Sequence, residues 1–219
     1  LVTSFNNCPE YQKYYMDICR RNRWLSENLR AYCDAMSNFV FRDGRAEDFW
    51  GATYRASHDN GVTWSEIYKS PVTSPHGPVE LRDGTILWVG RSDEAKRAEI
   101  DGILAYTLDP HTGKMEFRGA VEPICVDGEE LLSCEPHTIE LPDGTLLCHI
   151  RVQKSKCYFT TYQTESTDGG RTWSKPRALL APMGGAPSHL ILLDNGLLLA
   201  TYGYRQPPCG IRYMVSADL

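Results

Sequence analysis

Three arginines stand at nearly the same distance after the glycine of a repeated turn. Arg91, Arg151 and Arg205 follow such a glycine by seven, seven and nine residues, respectively. A guanidinium group keeps its positive charge at any physiological pH and grips a carboxylate through two parallel hydrogen bonds. Arginines in this pattern could bind an anion at one end of successive hairpins.

A glutamate shares one of these hairpins with an arginine. Glu135 lies nine residues before Gly144, and Arg151 lies seven residues after it. A hairpin that turns at Asp143-Gly144 brings both side chains to adjacent strands near one rim of the sheet. Two interpretations follow: a functional pair at a binding site, or a structural ion pair at the end of the sheet.

Three histidines have a similar recurrence. His76, His137 and His189 each precede a hairpin glycine by seven or eight residues. They would begin the innermost strands and face a central funnel, where many propellers bind ligands. We interpret them as lining residues. The alternative is that the histidines recur only because the repeat itself was duplicated. A metal site is not predicted.

The turns that would position these side chains are repeated. Residues 81–87, 141–147 and 193–199 each read as an apolar run, Asp-Gly or Asn-Gly, and a second apolar run. This pattern predicts a β-hairpin with a two-residue turn. A second repeat, S-x-D-x-G-x-T-W, occurs at Ser57–Trp64 and Ser166–Trp173, and Ser216 opens a third copy.

The octapeptide suits a tight turn between strands. Its Asp and Ser oxygens can accept backbone N–H groups, its Gly supplies an unusual backbone angle, and its Trp buries apolar area. Thr107–Gly113 is a degenerate copy. Each unit therefore reads as strand, hairpin, strand, loop, strand, octapeptide turn and strand. Four strands in about 50–60 residues predict one blade of a β-propeller.

The first residues follow a different pattern. Apolar side chains between Pro9 and Met36 recur at helical spacing, which predicts an amphipathic helix packed on the propeller, over the cleft or against another subunit. We predict a helical segment over residues 1–38 and an all-β partial propeller of three to four blades over residues 39–219.

Composition limits the classes of partner. The net charge of −5 and pI near 5.7 argue against nucleic acid. No apolar run approaches the roughly 20 residues of a membrane span. The eight cysteines form no C-x-x-C pair, so a cysteine zinc site is not expected. No cofactor is predicted.

The octapeptides and the L-x-D-G-T-L-L hairpins together resemble the bacterial-type sialidase (neuraminidase) superfamily, whose octapeptides are called Asp boxes or BNR repeats. The resemblance covers residues from about 39 to 219. It implies a propeller of six blades when complete and an exo-acting glycoside hydrolase that releases terminal sialic acid, or a similar acidic sugar, with retention. It also implies a carbohydrate partner and favours an extracellular or periplasmic location.

Members of this superfamily hold the sugar carboxylate with three arginines, attack with a tyrosine activated by a glutamate, and use an aspartic acid as proton donor. The stretch Cys134–Arg151 is similar to the part of the family that carries the glutamate and one arginine. The resemblance implies Glu135 as the activating base. The other assignments it suggests are Arg151 and then Arg205 or Arg212 as carboxylate ligands, Arg91 and Tyr204 at the rim, and Asp48 as the acid.

The chain departs from the family pattern in two places. The F-R-I-P-like motif of the first arginine is missing, and residues 41–45 are the nearest match. The nucleophilic tyrosine normally comes from the last blade, so we expect the sequence to be part of a longer protein and to be inactive alone. A non-catalytic carbohydrate-binding or scaffold propeller, and a glycosidase or lyase for another acidic sugar, are the alternatives.

Overall fold

The computed structural model describes residues 1–7, 21, 27–28, 30–31, 50–93, 97–154, 158–179, 184 and 187–218. The described residues 21, 27–28 and 30–31 are helical, and the strands agree with the predicted all-β class. In chain order they are β1 (Val2–Asn7), β2 (Gly51–Ala56), β3 (Tyr68–Lys69), β4 (Val72–Thr73), β5 (Val79–Glu80), β6 (Ile86–Ser92), β7 (Ile103–Leu108), β8 (Met115–Ala120), β9 (Cys125–Val126), β10 (Glu129–Glu130), β11 (Leu132–Glu140), β12 (Leu146–Lys154), β13 (Tyr158–Ser166), β14 (Arg177–Ala178), β15 (His189–Leu192), β16 (Leu198–Tyr204) and β17 (Gly210–Ser216).

The strands form four antiparallel sheets and one short hairpin, β9–β10. The first sheet is β1-β2-β3, and the second is β4-β6-β7-β8 with β5 also paired to β6. The third is β11-β12-β13-β14, and the fourth is β15-β16-β17. The third sheet has the predicted order of strand, hairpin, strand, strand, octapeptide turn and strand. The six blades expected of the complete protein stay a prediction.

The Asp-Gly and Asn-Gly hairpins form where predicted, but their loops are longer than expected. The Leu141 N–H donates to the Thr145 carbonyl (2.8 Å), and the Gly144 N–H donates to the Leu141 carbonyl (2.9 Å). Three residues thus form the loop, instead of two. Gly144 adopts a φ of 93°, so its position in the loop requires glycine. The other two hairpins have the same hydrogen bonds.

The octapeptide turns connect the last two strands of a sheet, β2 to β3 in the first sheet and β13 to β14 in the third. In the third sheet, Asp168 accepts hydrogen bonds from the Ser166 hydroxyl (2.9 Å) and from the Thr172 amide (2.9 Å) and hydroxyl (2.6 Å). Asp59 makes the equivalent bonds in the first sheet. Both carboxylates therefore serve their own turn, as predicted. The degenerate copy after β7 occupies the corresponding turn in the second sheet.

Three apolar clusters hold successive sheets face to face. Tyr54 of β2 packs with Trp88 of β6, between the first and second sheets. Leu87 of β6 packs in one cluster with Ile150 of β12, between the second and third sheets. Leu190 of β15 joins residues of β12 and β16 in the third cluster. Alternate residues of one strand thus face opposite neighbours, as expected for strands buried on both faces.

The antiparallel order gives the sheets two ends. One end, which we call the turn rim, carries the three hairpin loops and the octapeptide turns. At the other end, which we call the site rim, first strands begin and second strands finish. The predicted site residues of the second, third and fourth sheets lie toward this end.

The N-terminal residues 2–7 form β1, which pairs with β2 along its whole length. The helix predicted between Pro9 and Met36 falls almost entirely outside the described residues and stays a prediction, as does the domain boundary at residue 38. The described part of the chain has no helix long and apolar enough to cross a membrane.

Candidate functional site

Glu135 and Arg151 meet at the site rim, as the hairpin spacing predicted. Arg151 is the register partner of Cys134, and its Nε lies 2.9 Å from Glu135 Oε2. The Glu135 side chain is 32% exposed, and the Arg151 side chain is 13% exposed. Among the described residues, none donates a hydrogen bond to the buried Oε2 oxygen. The N–H of Arg151 Nε donates its hydrogen bond to the Cys134 sulfur (3.2 Å) instead. The carboxylate is thus charge-paired but retains a free acceptor site.

The backbone at Glu135 is strained. The β11–β12 register shifts between Cys134 and His137, so Glu135 and Pro136 form a β-bulge. Glu135 has a φ of 51°, in the left-handed region that side chains avoid at a cost of about 1–3 kcal/mol. The Ser74 hydroxyl, from the neighbouring sheet, donates to the Pro136 carbonyl (2.5 Å) and fixes the bulge. Bulges of this kind re-aim a side chain, and strain of this kind clusters at functional sites.

A second arginine approaches the same place from the neighbouring sheet. Arg91, at the end of β6, donates from Nη1 to the Ser133 carbonyl (3.3 Å). Burial raises the pKa of the Cys134 thiol, while the positive charges of Arg151 and Arg91 act in the opposite direction. Both arginines are therefore close enough to Cys134 to influence it. The site has two guanidinium groups and one carboxylate around a buried thiol.

The three histidines come together from three consecutive sheets. Their ring centroids lie 4.4 Å (His76 to His137), 4.3 Å (His137 to His189) and 5.5 Å (His76 to His189) apart. The Nδ1 atoms of His76 and His189 are 3.3 Å apart. The Leu190 N–H donates to His137 Nδ1 (2.8 Å). We refer to this group as the histidine trio.

The surroundings keep two of these rings neutral at neutral pH. Burial, together with the neighbouring His189, lowers the pKa of His76 to about 4. Burial and the neighbouring histidines lower the pKa of His137 to about 3. A neutral imidazole offers one lone pair and one N–H, so these rings can bind a metal ion or hydrogen-bond a ligand.

The candidates of the fourth sheet make local contacts. Arg212 lies on the third strand of its sheet, and its guanidinium carbon is 3.4 Å from the centre of the Tyr204 ring. The Tyr204 hydroxyl lies 3.3 Å from Gln206 Oε1, and Arg212 donates to the Pro208 carbonyl. Arg205 follows β16 at the site rim, and its amide donates to the Gly184 carbonyl (3.1 Å). Their roles as carboxylate ligands stay predictions.

The proposed acid, Asp48, lies outside the described residues, and its role is untested. Sequence reasoning missed the groups that position this pair, namely the Ser74 hydroxyl, which bonds the bulge at Glu135, and the Cys134 sulfur, which accepts the Arg151 Nε hydrogen bond. The only signal was Pro136 within an apparent strand, because proline inside a sheet is typical of a bulge.

Comparisons with known proteins identify the repeat family and the fold. Residues 26–209 match the family model described as the BNR repeat-like domain. A protein of unknown function from Dyadobacter fermentans is 22% identical with a TM-score of 0.59, over 75% of this chain and 48% of that one. The NanB sialidase from Streptococcus pneumoniae is 14% identical with a TM-score of 0.56, over 75% of this chain and 26% of the sialidase.

A xylan β-1,4-xylosidase from Bacillus halodurans is also similar, at 14% identity and a TM-score of 0.50, over 75% of this chain and 35% of the enzyme. No curated protein matches the sequence significantly. The chain spans about half or less of each of these three structures. At these identities the likeness shows the fold, which sialidases share with glycosidases of other specificity. Because the family model covers most of the sequence, the chain belongs to the BNR repeat-like domain family, as the resemblance to the sialidase superfamily implied.

Proposed function

We propose that the protein is an exo-acting glycoside hydrolase of sialidase type that cleaves a terminal sialic acid, or a similar acidic sugar, with retention. The observation that carries this proposal is the Glu135–Arg151 pair on its strained bulge. A strained backbone at the rim lowers the stability of the fold, so a functional role of the residue explains it more readily than a structural role.

In this proposal the arginines bind the acidic sugar. Arg151 and Arg91 both lie close to Cys134 and would hold the sugar carboxylate, with Arg205 or Arg212 as a further ligand from the fourth sheet. A guanidinium group suits this role because it forks onto a carboxylate and keeps its charge.

Glu135 would act as the base for the nucleophile. Its buried Oε2 lies 2.9 Å from Arg151 Nε and accepts no hydrogen bond from the described residues, so this oxygen is available to take a proton from the nucleophile. The proton would come from a tyrosine hydroxyl as its oxygen attacks the anomeric carbon, and Asp48 would protonate the departing sugar oxygen. Tyr204 is a tyrosine of the described rim, and a tyrosine elsewhere in the full-length protein is the other source.

A second candidate function is non-catalytic carbohydrate binding. The contact between Arg212 and Tyr204, and the Arg91 bond to the Ser133 carbonyl, are local pairings of the kind that a structural role predicts. Aromatic rings at such a rim could stack on a sugar without any chemistry.

The test is hydrolysis of a fluorogenic sialoside by the full-length protein. Glu135→Ala and Arg151→Ala are expected to lower kcat/KM by about 100-fold or more, the usual range for a lost general base. Full activity in both variants would overturn the site. If the wild-type protein binds sialosides without turnover, the second candidate replaces the first.

A matched control is present at the turn rim. Arg82 Nε and Glu140 form an ion pair (3.2 Å) between the second and third sheets, and Glu140 also accepts the Arg82 amide (2.7 Å). Arg82→Ala and Glu140→Ala remove the same kinds of side chain at the opposite end, from the β5–β6 and β11–β12 hairpins. They are expected to leave kcat/KM within about twofold of the wild-type value, as distant surface changes do.

A further inference from the structure

The histidine trio has no role in the proposed hydrolysis. We propose that His76, His137 and His189 form a binding site for a borderline transition-metal ion, with Zn²⁺ as the best match. One ligand atom from each ring lies within 4.8 Å of the others. Each ring comes from a different sheet, so an ion there would join three consecutive sheets.

The nitrogen separation fits zinc. Two imidazole nitrogens that bind one tetrahedral zinc ion at about 2.0–2.1 Å lie roughly 3.3 Å apart. The Nδ1 atoms of His76 and His189 are 3.3 Å apart before any ion is added. Two nitrogen atoms at this distance, each with one lone pair or one proton, can either share a hydrogen bond or bind a common ion.

The chemistry of the rings agrees with a metal. Neutral imidazole is the ligand form, and each neutral ring supplies one nitrogen lone pair to an ion. The Nε2 atom of His76 is buried and has no hydrogen-bond partner among the described residues, so it is an alternative to Nδ1 as the ligand atom of this ring. Three imidazoles without a thiolate favour zinc, copper or nickel over calcium or magnesium, which prefer oxygen ligands.

Metal binding has one structural cost, which supplies a specific test. His137 Nδ1 accepts the Leu190 N–H. If Nδ1 binds the ion, it loses this hydrogen bond. If Nε2 binds the ion, the ring proton moves to Nδ1, and Nδ1 can no longer accept. In both cases the Leu190 N–H changes partner, and a single neutral hydrogen bond is weak beside the gain from metal binding.

Three histidine ligands leave a fourth position for water or a ligand oxygen. His189 begins β15, His137 lies within β11 and His76 precedes β5, so that position would lie along the first strands of these sheets. The ion would therefore be accessible to a sugar hydroxyl or carboxylate bound at the site rim. This role differs from that of the Glu135–Arg151 pair, and either can exist without the other.

The experiment uses the full-length protein, stripped with a chelator and titrated with Zn²⁺ or Co²⁺. We expect one ion per chain, a visible Co²⁺ absorption of four-coordinate type, and a higher Tm with zinc. In His189→Ala, which removes an exposed ring, affinity is expected to fall by at least about 100-fold while the metal-free protein keeps its Tm. The amide resonance of Leu190 should shift when zinc binds.

The control is a second histidine pair. His58 and His111 at the turn rim stack with ring centroids 4.3 Å apart, and both are exposed. The His58→Ala/His111→Ala double variant is expected to bind one ion as the wild type does. The proposal is overturned if the stripped wild type binds no ion, if His189→Ala binds as tightly as the wild type, or if Leu190 does not respond. Loss of binding in the double variant would place the ion at the surface pair.

Discussion

The two ends of the sheets are built from the same hairpins, and the carboxylates at the two ends differ in how their hydrogen-bonding capacity is satisfied. At the turn rim, Asp168 has several donors from its own octapeptide, and Glu140 has both an ion pair and an amide donor. At the site rim, Glu135 has a strained φ, and within the described part of the chain neither its buried Oε2 nor the Nε2 atom of His76 has a hydrogen-bond partner. Satisfied groups stabilise a fold, whereas unsatisfied ones are available for a ligand.

Groups at the two rims should lose their contributions to the free energy of unfolding in different pH ranges. The pKa of His137 is lowered to about 3 by burial, so its stabilising contribution is present above about pH 6.5 and is lost as the pH falls toward 3. After allowance for screening, the loss is on the order of 3 kcal/mol. In chelator-treated protein, His137→Gln should show a flatter pH profile of unfolding free energy from pH 6.5 to 4. An unchanged profile would contradict the comparison.

Packing between sheets should tolerate an added methyl group least where a strand lies against an octapeptide turn. A Cβ at Gly119 of β8 would lie 2.4 Å from the Arg171 carbonyl oxygen and 2.5 Å from that of Gly170, both backbone atoms. Gly119→Ala is therefore expected to lower the unfolding free energy by about 1–3 kcal/mol, with a lower denaturation midpoint.

Gly210 of β17 is the matched control, because a Cβ there would meet no atom within 4 Å. Gly210→Ala should leave the midpoint unchanged or slightly higher, since alanine restricts the unfolded chain. Equal losses in both variants would mean that the octapeptide turn does not pack against β8.

The strain at Glu135 can be measured directly. Glycine adopts a φ of 51° without penalty, whereas alanine does not. We expect Glu135→Gly to be more stable than Glu135→Ala by about 1 kcal/mol in thermal or urea unfolding, with activity low in both. If Glu135→Ala is the more stable variant, the bulge is not strained and the functional interpretation loses its main support.

The smallest effect should come from Asp168. Hydrogen bonds, first from the Thr172 hydroxyl and amide, hold the pKa of Asp168 at about 2. Its contribution is therefore present above about pH 4 and is lost as the pH falls toward 2, a window below that of His137. Asp168→Asn should lower Tm slightly at pH 6, converge with the wild type near pH 2, and leave activity unchanged. A loss of activity would mean that the turn rim affects the site.

Much of the fold follows from local chemistry. The hairpins at Asp143-Gly144 and its repeats, and the octapeptide turns, formed where the sequence placed them, because glycine and short polar side chains determine the turn within a few residues. The loop length was wrong by one residue, since Asp-Gly also suits a three-residue loop with glycine in the left-handed position. The helix between Pro9 and Met36 and the role of Asp48 stay predictions.

The pairing of Glu135 with Arg151 was predictable, because residues at matched distances from a hairpin turn become cross-strand neighbours. The bulge was not, since it depends on the Ser74 hydroxyl of another sheet. The meeting of Arg91 with this pair also depends on contact between sheets.

The sequence by itself therefore determined the repeat, the turns and the pairs within each hairpin, because these depend on local backbone preferences. Only the tertiary structure decided which groups of separate sheets meet, because that depends on how apolar faces stack across Leu87 and Ile150. His76, His137 and His189 show the difference. Their spacing indicated inner strands, but only the stacking of three sheets brought their rings within reach of a single ion.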